Sequence, residues 1–221
     1  MDDHHHREDE ATEWDQRYAS AGQVWSGLPN GSLVNEVDEL VAGRALDVGC
    51  GEGADAVWLA NRGWQVTALD VSELALRRAS DAADRAGVKV QWLHAGLLGA
   101  PLVPGSFDLV SAHYPALRHT PDHAAERALI QAVAPGGLLL VVHHALDHPD
   151  LDHHADLDTE MAKAHGFNPA DYVSPGDVAA LLDETWQVAF DPRRPRDVPS
   201  GAGAGHAYDV VLRAQRTQHA S

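Results

Sequence analysis

Residues 45–56 read ALDVGCGEGADA. A short apolar run ends in Asp47, then passes through Gly49, Gly51 and Gly53 before helix-forming residues resume at Ala54. Glycine has no Cβ, so a turn built this way adopts positive φ freely and lets another group come close to the main chain. Gly49, Gly51 and Ala54 satisfy the G-x-G-x-x-G/A spacing of a strand–turn–helix dinucleotide site. Asp70 closes the next apolar run, about 20 residues on, where an acid bonds ribose hydroxyls. The pattern points to a ribose-bearing ligand without naming it.

Outward from that turn, apolar strands alternate with amphipathic helices. Strands are expected at RALDVG, WQVTALD, VKVQWLH, FDLVSAH and GLLLVVHH, with helices near 54–62, 72–86 and 121–134. Ser72 and Thr120-Pro121 serve as helix starts, and Gly63 and Gly87 as stops. Near-continuous apolar strands separated by helices imply a mostly parallel sheet covered on both faces. Residues 145–173 break the rhythm as a polar, His/Asp-rich insertion, too long for a simple connection. Ser174, Pro175 and Asp177 then restart a helix with a capping box. TWQVAF and HAYDVVLRA read as two further strands, joined by a mobile-looking loop, DPRRPRDVPSGAGAG.

The domain plan is a disordered leader over 1–10, a helical lid over 11–43, one α/β domain over 44–214, and a tail over 215–221. The leader is polar and acidic and cannot bury enough surface to offset ordering entropy. A chain of 221 residues, 44% hydrophobic, has enough apolar material for a sizeable core. Its formal net charge of -17 repels phosphate backbones and anionic lipid surfaces, which argues against nucleic-acid and membrane partners. No run is long enough to span a bilayer. With the single cysteine, Cys50, and no apolar signal core, the expectation is a cytoplasmic protein.

Charge discriminates between ligands at the turn. A diphosphate wants donors and no anion nearby. Asp47 precedes the glycines and Glu52 lies among them, and unit charges at about 4 Å interact by roughly 4 kcal/mol at intermediate dielectric. S-adenosylmethionine carries a sulfonium and an ammonium instead of phosphate, so flanking carboxylates favour it.

The stretch LDVGCGEGADAVWLANRGWQVTALDVSELAL resembles the first two binding motifs of class I S-adenosylmethionine-dependent methyltransferases. The nearest group is that of the small-molecule thiopurine and tellurite-resistance methyltransferases. The resemblance implies a Rossmann-like, doubly wound seven-stranded sheet, mostly parallel with the last strand antiparallel and helices on both faces. It implies that the turn of Gly49, Cys50, Gly51, Glu52 and Gly53 backs the methionine part of S-adenosyl-L-methionine, that Asp70 takes the ribose, that Val71 packs near adenine, and that Asp47 belongs to the same cofactor site. The family's usual acid after the third strand is missing, with Gly96 in its slot, so adenine falls to backbone groups at Ala95, Gly96 and Leu97. WDQRYASAGQVWSGLPNGSLV resembles the lid of that group, with Trp14, Tyr18 and Trp25 closing over the cofactor.

Methyl transfer needs alignment and exclusion of water more than acid–base help, and a base only when the acceptor arrives protonated. Ligands in such folds sit outside the strand C-termini. His113, Tyr114 and His143 therefore become candidates for acceptor contact or proton removal, with His144 and His148 as further wall residues. The His/Asp run after His143 matches no recognised metal-ligand spacing and reads as a solvated loop, so no metal is expected. Cys50 suits small-side-chain packing better than nucleophilic chemistry. The basic run 193–196 reads as a solvated loop, or as a grip on an anionic acceptor.

Two other readings stand beside this one. A NAD(P)-dependent oxidoreductase uses the same glycine pattern, but Lys89 and Lys163 are the only lysines and no Tyr-x-x-x-Lys pair occurs. A non-catalytic metal buffer would use the His/Asp-rich insertion. The expected partner is a small-molecule acceptor, and neither its identity nor the oligomeric state is readable.

Overall fold

The computed structural model describes residues 2–145, 171–196 and 207–218, the segment 2–10 as backbone only. In chain order the first elements are α1 (Asp2–Ala19), α2 (Gly31–Val37), β1 (Arg44–Val48), α3 (Ala54–Asn61), β2 (Gln65–Asp70), α4 (Glu73–Ala86) and β3 (Gln91–His94). A short 3-10 turn (Leu97–Gly99), β4 (Phe107–His113), α5 (Ala124–Ala132) and β5 (Val133–His144) follow. α6 (Pro175–Ala179), β6 (Trp186–Pro195) and β7 (Tyr208–Arg216) complete the described chain.

The seven strands form one sheet in the order β3-β2-β1-β4-β5-β7-β6. Neighbours from β3 through β5 pair in parallel, while β7 is antiparallel to both β5 and β6. This is the sheet the sequence implied. Alternation along β5 splits the core. Leu138, Leu140 and Val142 pack towards α2 and α3, while Leu139 and Val141 pack towards α5 and α6.

Local chemistry sets the element ends. Ser72 Oγ accepts from Ala75 N at 3.0 Å at the start of α4, and Gly87, at φ 70°, ends it. Ser174 and Asp177 form the expected reciprocal box with Pro175 in the first turn. Thr120 Oγ1 accepts from Ala124 N at 2.9 Å, so α5 begins after Pro121 instead of at it.

Three segments differ from expectation. α1 takes in residues 2–10, assigned above to a disordered leader. Helix nucleation is the costly step, and the packed turns near Trp14 and Tyr18 supply a nucleus from which the helix extends. β6 reaches Pro195, with Arg194 opposite Asp209 and Pro195 opposite Tyr208, so the first part of the supposed mobile loop is strand. β7 reaches Arg216, which takes 215 and 216 out of the expected tail. Most of the His/Asp-rich insertion, 146–170 with His148, lies outside the described residues.

Candidate functional site

All the parallel strands end on one edge, and there a cleft of about 860 Å³ opens beneath α1 and the loop leading to α2. Ligand pockets of enzymes fall in the same size range, about 300–1,000 Å³. Asp47, Gly49, Cys50, Gly51, Glu52, Asp70, Val71, Ala95, Gly96, Leu97, Trp25, His113 and Tyr114 all line it. Gly53 and His143 do not.

Gly53 has a different duty. A Cβ there would meet Ala79 Cβ at 2.7 Å and Trp92 at 3.0 Å, so this glycine lets α4 and β3 pack against the turn. His143 continues the Leu139/Val141 side of β5, away from the cleft, whereas His144, one residue on, lines it. Burial pushes the His143 imidazole down to about 4, with His144 adding to the effect, and keeps it neutral.

The turn's amides are occupied. Gly49 N and Cys50 N both donate to Leu69 O (2.9 and 3.0 Å), and Gly53 N donates to Cys50 O (2.9 Å). Gly51 N donates to Asp70 Oδ2 at 2.8 Å, and Ser72 N to Asp70 Oδ1 at 2.9 Å. A carboxylate oxygen has more than one lone pair, so Asp70 keeps acceptor capacity for a diol. Burial raises its carboxyl above the usual range. Asp47 is raised well above that range, first by burial and then by Asp55 and Asp70, and its Oδ2 has no hydrogen-bond partner among the described residues. Burial and the Asp47 charge push the Cys50 thiol up, so it stays protonated and packs as a small apolar side chain.

Glu52 corrects the electrostatic reading. Its carboxylate accepts from Val24 N (3.1 Å) and Trp25 N (3.0 Å) and pairs with Arg78 Nη1 at 2.8 Å. Arg78 also donates to the carbonyls of Tyr18 (2.9 Å) and Ala21 (2.7 Å). The acid inside the glycine run is thus a latch for the lid, neutralised by an arginine from α4. Asp15 adds a second latch, accepting from Ser72 Oγ at 2.5 Å and Leu74 N at 3.2 Å. Trp25 Nε1 donates to Tyr18 Oη at 2.9 Å, and this pair lies on Gly51, where a Cβ would meet Tyr18 Oη at 2.9 Å. The lid aromatics close on the turn itself, and Trp14 stands beside Tyr18 with ring centroids 6.1 Å apart.

The far wall is polar and layered. Tyr114 has φ 52°, a left-handed conformation uncommon for an aromatic residue and of the kind that clusters at functional sites. Its ring stacks on His144 at 4.1 Å, and its hydroxyl donates to Asp209 Oδ2 at 2.8 Å. Burial and the Asp209 charge raise that phenol, so it stays protonated. Asp209 also meets Arg196 at 3.1 Å, with side chains only 3% and 6% exposed. Arg196, from the run expected to be solvated, thus forms a buried pair and reaches the cleft.

His113 lies deeper. Its Nδ1 is 3.0 Å from Ser111 Oγ and 3.6 Å from Asp55 Oδ2, and its Nε2 is buried without a partner among the described residues. Asp55 accepts from Asn30 N (2.7 Å) and Asn30 Nδ2 (2.8 Å). Among the described residues no group of three or more His, Cys, Asp or Glu is arranged to hold a metal. No helix among them is long and apolar enough to cross a membrane.

Sequence reasoning missed Asp55, Asn30, Asp209 and Arg78. Asp55 carried the one available signal, an acid in the first turn of the helix that follows the glycines. The others are brought in by tertiary contact.

Residues 45–137 match the methyltransferase domain family. An uncharacterized methyltransferase of Mycobacterium tuberculosis is 43% identical over 122 residues, covering 54% of this chain and 60% of that protein. A ubiquinone biosynthesis O-methyltransferase of Idiomarina loihiensis is 36% identical over 109 residues, covering 48% and 44%. The chain thus spans roughly half the length of these curated relatives. Among solved structures, a SAM-dependent methyltransferase of Methanosarcina mazei superposes with a TM-score of 0.63 at 20% identity, covering 84% of this chain and 98% of that one. Residues 45–137 thus form a methyltransferase domain, and the fold is one shared with a SAM-dependent methyltransferase of known structure.

Proposed function

We propose that this protein transfers the methyl group of S-adenosylmethionine to a small-molecule nucleophile. The observation that carries the reading is the inventory of the glycine turn. The amides of Gly49, Cys50, Gly51 and Gly53 are already paired, while Asp47 and Asp70 present carboxylates. A diphosphate would find anions and no free donors among those four amides. A ligand with a sulfonium, an ammonium and a ribose diol meets the right partners, and a cation beside Asp47 would offset the burial that disfavours its charge.

Asp70 takes the ribose hydroxyls, and Val71 with the backbone at Ala95–Leu97 takes the adenine. S-adenosylmethionine supplies an electrophilic methyl carbon on a good leaving group. The chain supplies alignment and dryness: the Trp25–Tyr18 pair closes the turn, and Tyr114, held by Asp209 and stacked on His144, shapes the acceptor side. The small cleft and the net charge of -17 favour a small acceptor over nucleic acid.

The test is a screen of phenols, thiols, amines, tellurite and selenite for release of S-adenosylhomocysteine. One small-molecule class turned over, with Asp70→Ala inactive, supports the reading. Turnover of RNA and of no small molecule would overturn the acceptor class, and no turnover with any acceptor would overturn the activity.

A further inference from the structure

A polar patch lies under the N-terminus of α3. Asp47 of β1 stands opposite Ser111 of β4, and Ser111 and His113, two apart on one strand, face the same side. Asp55, in the first turn of α3, closes over them. Asp47, Asp55 and His113 of this layer line the cleft, Ser111 lies behind them, and one atom of the layer, His113 Nε2, is buried and bonds to nothing described.

We propose that Asp55 is a positioning residue that holds His113 with its proton on Nδ1, leaving the Nε2 lone pair to take a proton from the methyl acceptor. The acceptor class that follows is one whose reacting heteroatom carries hydrogen, a hydroxyl or a thiol. This rests on the methyltransferase reading above and deepens it.

The geometry argues for the tautomer. A separation of 3.6 Å is too long for a hydrogen bond but short enough for strong Coulomb attraction. A lone pair on Nδ1 would face the Asp55 carboxylate and be repelled, whereas an N–H there is attracted and donates to Ser111 Oγ. Asn30 grips both carboxylate oxygens, so Asp55 cannot swing away, and it ties the lid to this arrangement. Burial lowers the His113 imidazole and keeps it neutral, as a base must be before it acts. The charged groups facing it are Asp55 from α3, Asp209 from β7 and Arg196 beyond β6, with Tyr114 beside it and His143 of β5 nearby.

The step balances. The heteroatom's lone pair forms the bond to the methyl carbon, the carbon–sulfur pair stays with sulfur, and the heteroatom's proton passes to Nε2. The resulting imidazolium lies beside Asp55, which stabilises it.

Asp55 also has an ordinary structural use, joining α2 to α3 through Asn30, and the test separates the two. Long-range proton–nitrogen spectra of ¹⁵N-histidine protein, assigned with His113→Gln, report the tautomer without any acceptor. Nδ1–H in the parent and in Asn30→Ala, but a shift towards Nε2–H in Asp55→Asn, supports the proposal. Nε2–H in the parent, or no change in Asp55→Asn, overturns it.

Calorimetry with S-adenosylhomocysteine separates this from the underlying reading. No binding to the parent removes both, whereas binding with the wrong tautomer removes only the proposal. With the acceptor found in the screen, Asp55→Asn should keep that affinity while kcat falls about 10²-fold, the scale of general-base catalysis, with the deficit shrinking as pH approaches the acceptor's own ionisation. An unchanged kcat, or an equal loss at every pH, would overturn it.

Discussion

Replacing Gly53 by alanine separates ligand-contacting glycines from packing glycines within one turn. At φ +81° an L-residue pays roughly 1–2 kcal/mol for the left-handed backbone. The new methyl would also meet Ala79 Cβ at 2.7 Å, Trp92 at 3.0 Å and the Ala79 backbone at 3.2 Å. The last contact is with main chain, so α4 must shift, and overpacking of this kind costs about 1–3 kcal/mol. The expected loss is about 2–5 kcal/mol, which for a chain of this size lowers Tm by roughly 4–20 °C. Gly49→Ala is the control. Its φ is +70°, but its nearest neighbour would be Pro115 at an ordinary 3.7 Å, so only the backbone cost of about 1–2 kcal/mol applies. Its methyl stands on the cleft wall, so it should weaken S-adenosylhomocysteine binding more than Gly53→Ala does once both are compared well below their Tm. Thermal unfolding with calorimetric titration reads both quantities. Gly53→Ala as stable as Gly49→Ala, or fully stable with binding abolished, would refute the division of labour.

Glu52→Ala should free the lid, removing the acceptor for two amides and the partner of Arg78. We expect a loss of about 2–4 kcal/mol and faster hydrogen exchange at Val24 and Trp25, and unchanged protection there would count against the latch. Asp47→Asn should stabilise the unliganded protein by roughly 1–3 kcal/mol at neutral pH while weakening S-adenosylmethionine binding. The sign follows from its raised carboxyl: that group's contribution is greatest when protonated and is lost as pH rises through the raised value, a loss asparagine avoids. His143, lowered to about 4, gives the opposite sign. Stability should fall as pH drops from about 6.5 towards 4, by at most about 3 kcal/mol, and His143→Leu should flatten that slope in urea unfolding monitored against pH.

The fold was legible because its signals are local. Near-continuous apolar strands, the glycine turn, and the Ser174–Pro175–Asp177 cap each lie within a few residues, and each appears where expected. FDLVSAH is β4 from end to end. The cleft wall was legible to the extent that strand C-termini define it, and His113 and Tyr114 lie on that wall. Of the two histidines named at the end of β5, alternation separates one from the other: Leu139 and Val141 assign odd positions to the side of α5 and α6, His143 shares that parity, and His144 lines the cleft. Glu52 and Arg78, Asp55 and Asn30, and Tyr114 and Asp209 meet only through tertiary packing, across separations that carry no periodic signal. Charge counting alone put Glu52 against the ligand, because a sequence does not show that an arginine from α4 has claimed it.

On this reading the carboxylate-flanked turn receives a sulfonium nucleoside and not a dinucleotide. Calorimetric titration of the purified protein with S-adenosylmethionine and with NADH tests it most directly. One-to-one binding of S-adenosylmethionine, abolished in Asp70→Ala, and no heat from NADH are expected. Binding of NADH with none of S-adenosylmethionine would contradict it.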